Sequence, residues 1–195
     1  MFTKKLFSIL VAGMLLLGLS SNAYAELFSV SLGIPVSQSF SNEWSNGEAV
    51  ESDGITGSMV HVKFPIMIGL GYEAYESKIK SYDDNVIENM KLTTTMLDVF
   101  WLTPIPIVNV TVGAGLGQST LDCDTSGGGS CSDNYDTGTF GTTRQLYGQL
   151  GFPFFPFLDV HASYHYVTAE IEGKGSTSNE KFVSNIWALG VAFIF

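Results

Sequence analysis

The chain has 195 residues, of which 45% are hydrophobic and only 14% are charged, and its formal net charge is −10. A single domain is expected for this length. The acidic balance argues against nucleic acid as a partner, because nucleic-acid-binding surfaces are basic. The hydrophobic content is too high for a disordered acidic segment.

Residues 1–25 have the three parts of a secretory signal peptide. Two lysines near the start are followed by an apolar stretch, 6–19, and by a cleavage site of small residues that ends at Ala25. The apolar stretch is shorter than the roughly 20 residues that a membrane-spanning helix needs. We therefore expect a signal peptide over 1–25 and a mature domain over 26–195 that is exported through the periplasm.

The mature chain contains eight segments in which apolar side chains alternate with polar or small ones. A period of two residues is typical of a β-strand whose two faces differ. Short turns that contain proline alternate with longer polar loops between these segments. The predicted strands are 27–36, 57–64, 66–77, 90–102, 107–120, 142–152, 157–172 and 180–195, and the long loops are 37–56, 80–89, 121–141 and 173–179.

The last nine residues of the chain, 187–195, show the alternation most clearly. One face carries only large apolar side chains and the opposite face carries mostly alanine and glycine. This pattern suits the wall of a narrow barrel, which has lipid outside and a crowded interior. Without an apolar helix in the mature chain, only a closed barrel can pair all its backbone groups inside a bilayer. The sequence therefore predicts an all-β fold, an eight-stranded antiparallel transmembrane β-barrel in an up-and-down meander. The large residues are Trp187, Leu189, Val191, Phe193 and Phe195.

This organisation resembles the small eight-stranded outer-membrane β-barrels typified by OmpX and the membrane domain of OmpA. The resemblance covers nearly all of the mature chain. It implies a place in the outer membrane of a Gram-negative-type envelope, with the termini and the short turns in the periplasm. It also implies contact with outer-membrane lipids and lipopolysaccharide, a monomeric state, and recognition of the C-terminal strand by the barrel-assembly machinery.

The predicted inward face carries charges of both signs. An eight-stranded barrel is only wide enough for its own side chains to fill, and buried charges must be paired. We therefore expect a hydrogen-bonded interior in which Lys63 pairs with Glu73 or Asp98. The residues of this predicted polar network are His61, Lys63, Glu73, Asp98, Asp159, His161 and His165.

Three functions are compatible with this pattern. The leading prediction is a structural barrel that presents surface loops, with no catalytic residue, cofactor or metal site. A narrow channel for small solutes or ions, gated by a lysine–carboxylate pair, is the first alternative. A lipid A-modifying hydrolase is the second, because Asp159, His161 and Ser163 place an acid, a base and a nucleophile on one face of one strand. The alternation turns that face away from lipid, which counts against the hydrolase.

The long loops are polar and acidic. Cys123 and Cys131 lie in one of them, and an oxidising compartment favours a disulfide between them. The loops at 37–56 and 121–141 are the candidates for binding a surface ligand.

Basic and aromatic residues are expected at the membrane boundaries. Arg144, Lys91 and Lys181 fall near the outer rim, where they could meet the phosphates of lipopolysaccharide. Tyrosine, tryptophan and phenylalanine cluster near the strand ends, as in the aromatic girdles of membrane barrels.

Overall fold

A computed structural model shows a closed barrel of eight strands in sequence order. Among the residues that it describes, no helix has the length and the apolar character needed to cross a membrane. The predicted signal peptide lies outside the described residues. These residues are 28–43, 49–80, 87–105, 108–125, 135–136, 138–155, 157–174 and 179–195.

Each strand pairs antiparallel with the next, and β8 pairs with β1 to close the barrel. The closure extends to the last residue, where Phe195 N donates to Phe28 O at 2.9 Å. The predicted strand number, order and barrel closure are confirmed. The strands are β1 Ser29–Phe40, β2 Ser52–Lys63, β3 Ile68–Ile79, β4 Ile87–Ile105, β5 Val108–Thr125, β6 Thr143–Phe155, β7 Leu158–Ile171 and β8 Glu180–Ile194.

The barrel has two distinct ends. The turn end carries the short connections at 64–67, 106–107 and 156–157, and the loop end carries the long ones. The strands β1 to β5 reach further toward the loop end than predicted, whereas β6 to β8 end there within one residue of their predicted bounds. Parts of 37–56 and of 121–141, which we predicted to be loops, are therefore strand.

The outward face near the turn end is an apolar band. Aromatic rings contact one another on it, as Tyr164 and Trp187 do with ring centroids 5.1 Å apart. Large apolar side chains exposed in such a band are suited to lipid. Its strand residues include Leu32, Ile34, Leu70, Tyr72, Leu97, Val99, Trp101, Val112, Leu116, Leu146, Leu150, Phe152, Trp187, Leu189 and Phe193.

Toward the loop end the two faces exchange character. The inward side chains of β7 are polar up to His165 and apolar from Val167 to Ile171, whereas its outward side chains change from Tyr166 to Thr168. The sequence analysis predicted a polar interior and did not foresee this reversal. We call the apolar interior of this half the outer core. It consists of Val50, Met59, Tyr75, Ile79, Met90, Leu92, Met96, Leu121, Cys123, Val167, Ala169, Ile171, Phe182, Ile186 and Ala188.

One wall of the outer half is incomplete. The register between β1 and β2 runs only from Ser29 opposite Lys63 to Gly33 opposite Met59. The pairing of β1 with β8 shifts between Pro35 and Ser37, which is a β-bulge. The bulge lies just beyond Gly33, the last residue of β1 in the register with β2. It therefore marks where β1 and β2 separate.

Candidate functional site

All seven residues of the predicted polar network lie inside the barrel, and each is at most 6% exposed. They separate into a pair near the turn end, a cluster near the middle, and His161 between them. The alternation of inward and outward positions along each strand places them there. The pair is Lys63 with Asp159, and the central cluster consists of His61, Glu73, Asp98, Gln145 and His165.

Lys63 interacts electrostatically with Asp159, which also accepts a hydrogen bond from Asn109 Nδ2. Asp159 is therefore a charge partner of Lys63, and the pairing of Lys63 with Glu73 or Asp98 stays a prediction. Lys63 is in register with Gly69, and Glu73 lies four residues further along β3, which is about 13 Å along a strand.

A small cavity adjoins this pair at the turn end. Its volume is about 30 Å³, and its lining includes His61, Lys63, Asn109 and Asp159. A buried water needs roughly 10–15 Å³ of such space, so the cavity has room for about two waters. The polar lining supplies the hydrogen bonds that such waters require.

Glu73 is at the centre of the cluster and is fully buried. Its Oε1 atom lies 3.3 Å from Nε2 of His61 and 3.5 Å from Nδ1 of His165. The same nitrogen of His165 lies 3.2 Å from Oε1 of Gln145, whose Nε2 donates to Oδ1 of Asp98. One chain of contacts therefore connects two carboxylates, two imidazoles and an amide from five different strands.

Tyr147 stacks between the two histidines of the cluster. Its ring centroid lies 5.8 Å from that of His61, at an interplanar angle of 23°, and 4.8 Å from that of His165, at 12°. Phe100 packs edge-on against His61 at 5.6 Å. These ring contacts lie inside the barrel and hold the orientation of both imidazoles.

Sequence reasoning placed Tyr147 and Phe100 inward but gave them no role. The signal was present in the inward glycines of neighbouring strands. A Cβ atom at Gly113 would overlap the Tyr147 ring, and one at Gly71 would overlap the His61 ring. Glycines at these positions therefore make room for large rings opposite them.

The predicted acid–base–nucleophile set does not form in the order expected. His161 Nε2 contacts Ser31 Oγ at 3.1 Å, whereas Ser163 Oγ contacts His165 Nε2 at 2.8 Å. Side chains two residues apart on a strand point in the same direction and are roughly 7 Å apart at Cα. Each of the three side chains therefore contacts a residue of the lumen outside the predicted set, and Asp159 accepts a hydrogen bond from Asn109.

Several buried polar atoms of the lumen have no hydrogen-bond partner among the residues that the structure describes. They include Oε2 of Glu73, Oδ2 of Asp98, Oδ1 of Asp159 and the hydroxyl of Tyr147. An unpartnered buried polar atom costs about 1–3 kcal/mol, so such atoms need an explanation. Two of them are carboxylate oxygens of the central cluster.

The basic residues of the loop end lie on the outside of the barrel. Lys91 Nζ is 3.5 Å from Glu76 Oε1, and Arg144 Nε donates to Gly141 O at 3.3 Å. Beyond the strands, Lys80 Nζ donates to Glu51 Oε2 at 2.9 Å, and this contact raises the pKa of Lys80. Exposed pairs of this kind contribute little to stability.

Two further predictions concern the disulfide and the last strand. Cys123 is buried near the end of β5, and Cys131 lies outside the described residues, so the disulfide stays a prediction. The large residues of the last strand point outward, and Trp187 and Phe195 are strongly exposed. Their recognition by the assembly machinery also stays a prediction.

The fold and surface define a small membrane β-barrel. A scan against protein-family models finds no match, and neither does a search of curated proteins. Among solved structures, the chain is similar to Neisserial surface protein A, with a TM-score of 0.53, 16% identity, and coverage of 86% of this chain and 97% of that one. It is also similar to Ail, the attachment invasion locus protein of Yersinia pestis, with a TM-score of 0.50, 16% identity, and coverage of 86% and 99%. The predicted outer-membrane barrel is thus confirmed at the level of the fold.

Proposed function

We propose that this protein is an integral outer-membrane barrel that neither conducts solutes nor catalyses a reaction, and that it acts by presenting its long hairpins at the cell surface. In this arrangement the turn end faces the periplasm and the loop end faces the outside, as is usual for outer-membrane barrels. The polar network of the lumen serves to fill and stabilise the barrel.

One observation carries this proposal, namely that side chains occupy the lumen at two successive levels. The stacked rings of His61, Tyr147 and His165 fill the middle. The buried residues of the outer core, among them Met59, Met96 and Ile186, fill the half above. A hydrated ion would have to displace both layers to cross the barrel.

A narrow channel is the second candidate function. The cavity at the turn end favours it, because Lys63 and Asp159 bring a charged pair to a hydrated space. The cavity would then be the periplasmic vestibule of a path that opens when the stacked rings move.

Single-channel recording in a planar bilayer separates the two functions. We expect no discrete openings from the wild-type barrel or from Lys63→Ala, because the blocking layers lie above Lys63. Correct folding is checked by the heat-dependent shift in gel mobility. Openings of the wild type that change in Lys63→Ala would contradict the plugged barrel and support the channel.

The structure offers little support for a lipid A-modifying hydrolase. His161 and Ser163 are at most 5% exposed and point into the lumen, where a lipid in the bilayer cannot reach them. Unchanged lipid A acylation in a Ser163→Ala strain is the result we expect. Altered acylation would overturn this part of the proposal.

The outer surface of the barrel indicates which lipids surround the protein. The apolar band contacts outer-membrane lipids, and Arg144, Lys91 and Lys181 are placed to meet lipopolysaccharide phosphates. Reversing these three charges should therefore weaken co-purification of lipopolysaccharide. We also infer a monomer, recognition of the last strand by the assembly machinery, and a surface ligand at the hairpins over 37–56 and 121–141.

A further inference from the structure

We propose that His61, Glu73 and Asp98 form a binding site for one divalent transition-metal ion in the middle of the barrel, and that zinc fits it best. This goes beyond the surface role proposed above and departs from the sequence-level prediction of no metal site. The three side chains come from β2, β3 and β4, so the spacing of these residues in the sequence does not indicate a metal site.

The distances within the cluster suit a single ion. One ligand atom from each of the three residues lies within 4.8 Å of the other two. In a tetrahedral zinc site with bonds of about 2.0–2.1 Å, neighbouring ligand atoms are about 3.3 Å apart. The nitrogens of His61 and His165 lie 3.3 and 3.5 Å from Glu73 Oε1.

The unpartnered oxygens of the cluster favour the binding of a cation. Glu73 Oε2 and Asp98 Oδ2 have no hydrogen-bond partner within the described ranges, although Glu73 is 0% and Asp98 is 2% exposed. Buried carboxylates are ordinarily paired or coordinate a metal. A bound ion would give both of these oxygens a partner at once.

Charge balance favours a divalent cation. The cluster contains two carboxylates, whereas Lys63 lies nearer the turn end and interacts with Asp159. Two ionised carboxylates in a water-poor interior would repel each other strongly. One ion of charge +2 cancels them while leaving both imidazoles neutral, which is the form in which histidine binds metals.

The surroundings already hold the proposed ligands in place. Gln145 donates to Asp98 Oδ1, which leaves Oδ2 for the ion. Tyr147 and Phe100 fix the ring of His61 by stacking and edge contact. Outer contacts of this kind orient the ligands of known metal sites. His165, held by Ser163 at 2.8 Å, supplies a further nitrogen beside Glu73.

The mixture of nitrogen and oxygen ligands selects the type of metal. The cavity at the turn end gives the ion a route to the cluster. Imidazole nitrogen suits zinc and its neighbours, whereas calcium and magnesium prefer sites made only of oxygen. His61 lines the cavity at the turn end as well as the cluster. The ion can therefore enter from the end that carries Lys63 and Asp159.

The test uses the full-length folded barrel in detergent micelles, stripped with a chelator and dialysed against zinc in the presence of excess calcium. Mass spectrometry counts the zinc retained per chain. We expect one zinc in the wild type and loss of it in both His61→Gln and Asp98→Asn. Calcium occupies adventitious sites on the acidic loops and should not displace the buried zinc.

His161→Gln is the matched control, because His161 is also a buried lumenal histidine but contacts Ser31 instead of the cluster. It should retain the zinc. No zinc in the wild type, equal retention in the cluster variants, or loss in His161→Gln would each overturn the proposal. If the cluster variants do not fold, the wild type decides the question through cobalt, since the tetrahedral coordination proposed here gives cobalt a strong visible absorption band that zinc abolishes. Absence of that band overturns the site.

Discussion

At the scale of single residues, the ring of Tyr147 matters more than its hydroxyl. The ring stacks on His61 and His165, so it joins the two sides of the central cluster. The hydroxyl is buried and has no hydrogen-bond partner among the described residues. Aromatic pairs stabilise beyond their buried area by about 0.5–1.5 kcal/mol, whereas a buried hydroxyl without a partner destabilises.

This difference predicts opposite results for two substitutions at Tyr147. Tyr147→Phe keeps the ring and removes the unpartnered hydroxyl, so the free energy of unfolding should stay equal or rise. Tyr147→Ala leaves a cavity between two imidazoles and should lower it by about 3–5 kcal/mol, as for other large aromatic deletions. Urea unfolding of the barrel in micelles measures both. A large loss in Tyr147→Phe would show that the hydroxyl has a partner.

At the scale of the strand, each long strand passes through two environments, first the apolar band near the turn end and then the outer half with its apolar interior. Side chains alternate between the two faces in the half surrounded by lipid and in the outer half alike. The sequence was therefore sufficient to predict the number of strands and which residues share a face. It did not reveal that Val167 to Ile171 form an apolar interior, because a period of two does not say which face is inside. That choice depends on whether lipid or water lies outside, which the neighbouring strands and the height of the barrel decide.

The outer core should therefore behave like the core of a water-soluble protein. Ile171 is fully buried and Glu170, its neighbour on β7, is exposed on the outer face. Ile171→Ala should lower the free energy of unfolding by about 2–5 kcal/mol, the usual effect of a buried truncation. Glu170→Ala is the control and should change it by no more than about 0.5 kcal/mol. Equal small effects at both positions would mean that the outer half is not packed.

At the scale of the whole molecule, the apolar band fixes where the bilayer lies. On β4 the outward residues Leu97, Val99 and Trp101 are apolar, and Thr93 and Thr95 follow toward the loop end. The closed barrel and its turn end were predictable from the alternation and from the loop lengths. The partner of Lys63 was not, because contacts across a barrel depend on the stagger between strands, and the sequence does not specify that stagger.

The depth of the bilayer can be tested with a charge placed at two heights on β4. Val99→Arg introduces a charge near the middle of the band and should destabilise the barrel by about 2–4 kcal/mol in lipid vesicles. Thr93→Arg places the same charge on the same face above the band and should cost about 0–1 kcal/mol. Equal costs at the two positions would mean that the membrane extends to the height of Thr93.

The reversal of the two faces leaves one part of the surface with little structural duty. Outward side chains of the outer half, such as Thr93, Thr168 and Glu170, lie above the apolar band and outside the packed interior. Substitutions at such positions usually change stability by less than about 0.5 kcal/mol. The outward face of the outer half is thus the part of the barrel most free to vary, and its chemistry can change over generations without weakening the barrel.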